Sequence, residues 1–300
     1  MQLDIYTAHL PCRNERVPSG SRVLRRLWGC CLLAVLLTIL STAVNARTVQ
    51  VLTYHNFPPF VVDEKTRQGL SFDIVDILNE LKVPGIDFTL AIHPRARLNR
   101  ELRRQPEWLV LWTNPAWFKD RDMTTYAWSA PIFEDANVLV TRDPDFDYSG
   151  PLSLHSMQML GLREHSYQGI DEMIESGMIS KEDAPGWDSL LLMVAYRPHV
   201  DFTILPMLAA RYYRTQLQLQ DNVFIASTPH SRFTRSIMGP ASSSTLSPLI
   251  DTLAETLASS PQWKALMKHY HLEELYIHDP EHYAGKSWYF SLDPKDRTDD

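Results

Sequence analysis

The stretch Leu109–Arg142, LVLWTNPAWFKDRDMTTYAWSAPIFEDANVLVTR, decides the fold. It sets an apolar run, a polar and aromatic loop, and a second apolar run in succession. Leu109 to Trp112 follow an arginine-rich segment and stop at Thr113, Asn114 and Pro115, which predicts a buried strand ended by a turn. Ala136 to Thr141, with the branched Val138 and Val140, predicts a second strand, one that carries the chain from one lobe into another. In open α/β sheets small ligands bind beyond the carboxyl ends of strands. Thr113 to Arg121 therefore lie where a ligand is expected.

Upstream, Thr48 to Tyr54 alternates as a strand does and runs into Tyr54-His55-Asn56-Phe57-Pro58-Pro59-Phe60. Two adjacent prolines predict an extended, stiff segment that presents Tyr54, Phe57 and Phe60 to a ligand, unless these rings are simply core. Ser71 is a good N-cap for a helix whose apolar face holds Phe72, Ile74, Val75, Ile77, Leu78 and Leu81. Asp87 to Ile92 predicts another strand. Arg95 to Arg104 predicts a basic helix, and its arginines read as a solvated face because the rest of the chain is acidic.

The first 46 residues have the order of a secretory signal peptide. Arg22, Arg25 and Arg26 precede the apolar run Cys30 to Leu40, and Ala43-Val44-Asn45-Ala46 offers a cleavage site; an uncleaved anchor is the alternative. All three cysteines, Cys12, Cys30 and Cys31, fall in this leader. The remainder has no thiol for disulfides, metal ligation or nucleophilic catalysis, which suits an oxidising compartment. Five of the 29 basic and two of the 36 acidic residues also belong to the leader, so 24 basic and 34 acidic residues follow it. A chain so acidic is not expected to bind nucleic acid by charge.

Tyr54 to Phe60, then Gly69-Leu70-Ser71-Phe72-Asp73-Ile74-Val75-Asp76-Ile77-Leu78, then Arg121 with Trp128-Ser129-Ala130-Pro131-Ile132, resemble the bacterial extracellular solute-binding proteins of family 3. The resemblance runs from about Val49 to Tyr270. It implies an α/β fold, the two-lobed clamshell of type 2 periplasmic binding proteins, each lobe a doubly wound sheet, with two hinge crossings. Lobe 1 would comprise residues 47–139 and 234–275, lobe 2 residues 140–233, and 276–300 a tail. Met159 to Arg163 would be a strand followed by a ligand-facing loop. Trp187 to Tyr196 would be a helix, Val200 to Leu205 a strand, Pro206 to Gln216 a helix with Pro206 first, Val223 to Ala226 a short strand, and Arg232 to Met238 the return to lobe 1. Ser247-Pro248 and Ser260-Pro261 each read as an N-cap with proline at N1.

By the same resemblance Arg121 would grip a ligand carboxylate through paired, charge-assisted hydrogen bonds. The alternative is a surface arginine paired with Asp120 or Asp122. Thr113 and Asn114 would add polar contacts, Trp112 and Trp117 a stacking wall, and Arg163, Ser166 and Tyr167 would reach the ligand from lobe 2. The sequence departs from the family pattern where amino-acid binders carry an acid shortly after the position of Asp201. Leu205-Pro206-Met207 stand there instead. A buried ammonium without a counter-charge is costly, so the expected ligand is a small carboxylate or other polar metabolite and not an ordinary amino acid.

No cofactor, metal or catalytic residue is expected. Asp143-x-Asp145-x-Asp147 lacks the glycine and closing glutamate of a calcium loop, and His269, His271, His278 and His282 lack a hydrolytic zinc signature. The expected protein is a periplasmic monomer that delivers its ligand to an ABC importer. The alternatives are a periplasmic sensor that signals to a membrane partner, and a dehydratase-like enzyme in which Glu164 would be the isolated acid.

Overall fold

The computed structural model describes residues 46–163, 165–277 and 290–291. The predicted signal peptide, Glu164 and most of the predicted tail, with His278 and His282, lie outside the described residues. From Arg47 strand and helix alternate: β1 Arg47–Thr53, α1 Leu70–Glu80, β2 Ile86–Ile92, α2 Arg95–Arg104 and β3 Trp108–Thr113. β4 Tyr126–Trp128 and β5 Phe133–Thr141 follow. The rhythm resumes with β6 Gln158–Leu162, α3 Asp171–Glu175, β7 Ser180–Ala184, α4 Trp187–Tyr196, β8 Phe202–Pro206 and α5 Met207–Gln216. β9 Phe224–Ile225, β10 Ser231–Pro240, α6 Leu246–Ser259, α7 Pro261–His269 and β11 Phe290–Ser291 complete it.

The main strand order is β2-β1-β3-β10-β5-β8-β6-β7. Two parallel blocks, β2-β1-β3 and β8-β6-β7, are joined through β10 and β5, which run antiparallel to each other and to their neighbours. Both joining strands change partner along their length. β10 pairs with β5 through Ser231–Arg235 and with β3 and β4 through residues 236–240. β5 pairs with β10 through Phe133–Asn137 and with β8 through Asn137–Thr141. These two strands join the parallel blocks, and the segments after the carboxyl ends of β1, β2, β3, β6 and β8 line a common space.

Four local expectations are corrected. Ser71 does not cap α1: the N-cap is Gly69, at φ +127°, and Ser71 is buried, with its Oγ accepting from Trp112 Nε1 at 2.8 Å. A Cβ on Gly69 would stand 2.6 Å from the Phe60 carbonyl oxygen, so only glycine fits. Pro58-Pro59 is a cis bond inside a turn, not an extended segment. Pro206 ends β8 and caps α5 instead of opening the helix. α6 starts at Leu246, one residue before Ser247, and the side chain that serves its amides is Ser243, whose Oγ accepts from Leu246 N at 3.0 Å. Ser260 caps α7 as expected, accepting from Trp263 N at 3.3 Å.

Candidate functional site

A cavity of about 650 Å³ opens where the strand ends meet. From the β1 side it is lined by Tyr54, His55 and Phe57, from the start of α2 by Arg95, and from the turn after β3 by Trp117. The other wall holds the loop His165 to Gln168, Trp187 at the start of α4, and Ile204 to Pro206 of β8. Asn137 on β5 and His230, Ser231, Phe233 and Arg235 on and before β10 supply the floor.

Two guanidiniums reach this space, and they differ in kind. Arg235 is buried on β10, and its Nε donates to Asp135 on β5 at 2.7 Å. Its Nη1 donates to the Trp112 carbonyl at 2.9 Å and toward His55 Nε2 at 3.4 Å. The rings of Phe60, Phe233 and Trp117 stand 4.9–5.5 Å from its carbon Cζ. Burial raises the Asp135 carboxyl above its ordinary value, while Arg235 and the amides of Ala136 and Leu208 pull it down. Arg235 therefore has its counter-ion already, and the pair ties one crossing strand to the other.

Among the described residues Arg95 has no acidic partner. Its Nη2 donates to the Trp117 carbonyl at 2.7 Å and its Nε to Asn99 Oδ1 at 3.2 Å. The ring of Tyr54 lies 4.7 Å and that of Phe118 3.8 Å from its Cζ. None of these partners is an acid. They fix the guanidinium at the cavity edge without neutralising it, so its remaining N–H groups are prepared for an anion.

His55 sits between the two. Burial lowers its pKa well below the ordinary value, and the charges of Arg235 and Arg95 lower it further, so the ring is neutral and accepts at Nε2 from Arg235. On the far side His230 is held at both nitrogens, Nδ1 2.7 Å from the Tyr148 hydroxyl and Nε2 2.9 Å from the Gln168 carbonyl. The Gln168 carbonyl can only accept, so His230 carries its proton on Nε2 and its Nδ1 accepts from the Tyr148 hydroxyl, whose pKa burial pushes up to about 12. Among the described residues no carboxylate lines the cavity.

The structure brings together five of the expected site residues, Tyr54, Phe57, Trp117, Ser166 and Tyr167. Ser166 Oγ and the Tyr167 amide are both committed to Asp171 Oδ2, at 2.5 and 2.9 Å. The other six do not line it. Phe60 and Trp112 are wholly buried, stacked on each other at 5.1 Å, and Trp112 stacks in turn on Trp263. Thr113 is buried behind Tyr54, whose hydroxyl it meets at 3.4 Å. Asn114 is also buried, with Nδ2 on the Thr234 carbonyl and Oδ1 accepting from Ala116 N. Arg163 is exposed and leans toward Asp183 at 3.7 Å.

Arg121 is the main correction. It is exposed in the turn after β3 and away from the cavity. The preceding residue organises that turn: the Asp120 carboxylate is buried and accepts from the amides of Thr124, Thr125 and Tyr126 and from Trp128 Nε1, at 2.8–3.1 Å. With Asp120 turned inward, Arg121 points out. The cation at the cavity comes instead from α2, whose arginines read in sequence as a uniform solvated face. The usable signal was position, since Arg95 begins a helix three residues past the carboxyl end of β2.

No protein-family model matches the sequence, and no curated protein matches it. Solved structures do match. An ancestral arginine-binding protein bound to arginine is 16% identical, with a TM-score of 0.55, over 75% of this chain and 99% of that one. The periplasmic domain of BvgS from B. pertussis is 17% identical, with a TM-score of 0.56, over 90% of this chain and 48% of that one. A histidine kinase sensor domain with similarity to periplasmic binding proteins is 14% identical, with a TM-score of 0.55, over 75% of this chain and 96% of that one. The chain has the type 2 periplasmic binding fold. At such identities the likeness is one of fold.

Proposed function

We propose that this chain is an extracytoplasmic solute-capture protein that closes its two lobes on a small carboxylate-bearing ligand and hands it to an ABC importer. The observation that carries this reading is Arg95, a guanidinium held by a carbonyl, an amide side chain and two rings at the edge of a cavity with no acid among its described residues. Lobe boundaries near Asn137 and Arg235, where β5 and β10 change partners, would form the hinge. The same reading argues against an α-amino acid, because its ammonium would enter a cavity that holds two guanidiniums and, among its described residues, no carboxylate.

A second reading is supported by two of the structural neighbours, one a histidine kinase sensor domain and the other the periplasmic domain of BvgS. On that reading the clamshell reports its ligand to a membrane partner without transport. Both readings need the same ligand site, and only the partner distinguishes them. A thermal-shift series with organic acids, their uncharged amides and the corresponding amino acids tests the site itself. Acids should raise the melting temperature and amides should not; stabilisation by amino acids but not by acids would reject the proposal.

A further inference from the structure

The composition of the cavity wall says more about the ligand than its charge. We infer that the ligand is an aromatic carboxylate without an ammonium group, bound with its carboxylate on Arg95 and its ring among the side chains of Phe57, Trp117 and Trp187. This rests on the carboxylate reading above and narrows it.

Size comes first. A cavity of about 650 Å³ falls within the roughly 300–1,000 Å³ typical of sites for organic ligands of substantial size, so acetate- or lactate-sized acids would leave most of it unfilled. Next is the nature of the wall. Phe57, 5% exposed, packs against Trp187 with centroids 4.5 Å apart and planes at 37°, so the pair meets the cavity as one aromatic wall and not as two open faces. Trp117 stands edge-on to Phe233 at 5.1 Å. Ile204, Leu205 and Pro206 continue the apolar wall. A flat ring entering here gains stacked and edge-to-face contacts worth more than the area alone, which a flexible alkyl chain of equal size does not.

Aromatic walls also recognise quaternary ammonium ions, and here the charges decide. The faces of Tyr54 and Phe118 are taken by Arg95, and those of Phe60, Phe233 and Trp117 attract Arg235. A ligand cation would enter rings already serving the protein's own cations, with a neutral His55 and, among the described residues, no carboxylate to receive it. Because Asp135 pairs with Arg235, the uncompensated charge among the described lining residues is the one on Arg95, which fits a monoanion.

Calorimetric titration of the protein with benzoate, phenylacetate, benzamide, succinate, L-phenylalanine and trimethylglycine tests this. Benzoate or phenylacetate should bind at least about tenfold more tightly than succinate, benzamide or L-phenylalanine. Arg95→Gln should weaken that binding about 100-fold and Arg95→Lys less, since lysine keeps the charge but loses the fork. Trp187→Leu should weaken the aryl carboxylates and leave succinate unchanged. Circular dichroism melts confirm that each variant is folded, and saturable quenching of tryptophan fluorescence gives an independent readout. Succinate binding as tightly as the aryl acids would overturn the aromatic assignment and leave the carboxylate reading intact. Tighter binding of L-phenylalanine or trimethylglycine would overturn both, and no binding by either aryl acid would overturn the assignment alone.

Discussion

His55 shows how far a single side chain is governed by its surroundings. It is 8% exposed, lies beside Arg235 and near Arg95, and its pKa is driven well below the ordinary histidine value by burial first and by those two charges next. The unfolded chain takes up the proton near pH 6.5 and the folded one resists it, so this residue's contribution to stability is complete above about pH 6.5 and is lost as the pH falls. The slope from one such histidine is at most about 1.4 kcal/mol per pH unit. Urea unfolding of the wild type and His55→Gln at pH 7.5 and pH 5 should show the variant losing less stability on acidification. Trp112 is a second case. Its backbone is left-handed, at φ +59°, where β3 shifts register against β10, and the turn aims its carbonyl at Arg235. A tryptophan there costs about 1–3 kcal/mol, which the hydrogen bond and the stack with Phe60 and Trp263 offset.

At the scale of elements, the two crossing strands depend on one buried pair. Asp135 on β5 and Arg235 on β10 have side chains 0% and 1% exposed, and Asp135 also accepts from Leu208 N at the start of α5. Removing one partner leaves the other charged and buried, so Arg235→Met should destabilise the fold by about 3–5 kcal/mol, while the double variant Arg235→Met with Asp135→Leu recovers part of that. Urea midpoints measure both. Elements of this kind were largely legible in the sequence, because hydrophobic period and capping are local. α2, Arg95–Arg104, falls where the residue pattern puts it, and α4, Trp187–Tyr196, where the family resemblance puts it. β7, Ser180–Ala184, did not show: SKEDA is a polar edge strand held by its ladder to β6, a contact no local pattern announces. The roles of Asp135 and Arg235 were equally hidden, since 100 residues separate them.

Across the whole molecule, the doubly wound rhythm was visible in the order of strands and helices and the two-lobed clamshell came from the family resemblance, but the residues that meet in the cavity were visible only in part. Aromatics at strand ends, Tyr54, Phe57 and Trp117, came through because topology alone puts them there. Arg95, Trp187 and His230 arrive from a helix start in each lobe and from the return strand's approach, and their meeting is a property of the fold. Arg121 was misplaced because the direction of its side chain is set by the hydrogen bonds of its neighbour, Asp120. The most direct measurement is therefore a side-by-side calorimetric titration of wild type, Arg95→Ala and Arg121→Ala with the organic acid that raises the melting temperature most. The expected result is a loss of about 100-fold in affinity for Arg95→Ala and wild-type affinity for Arg121→Ala; loss of binding in Arg121→Ala with Arg95→Ala unaffected would contradict the account.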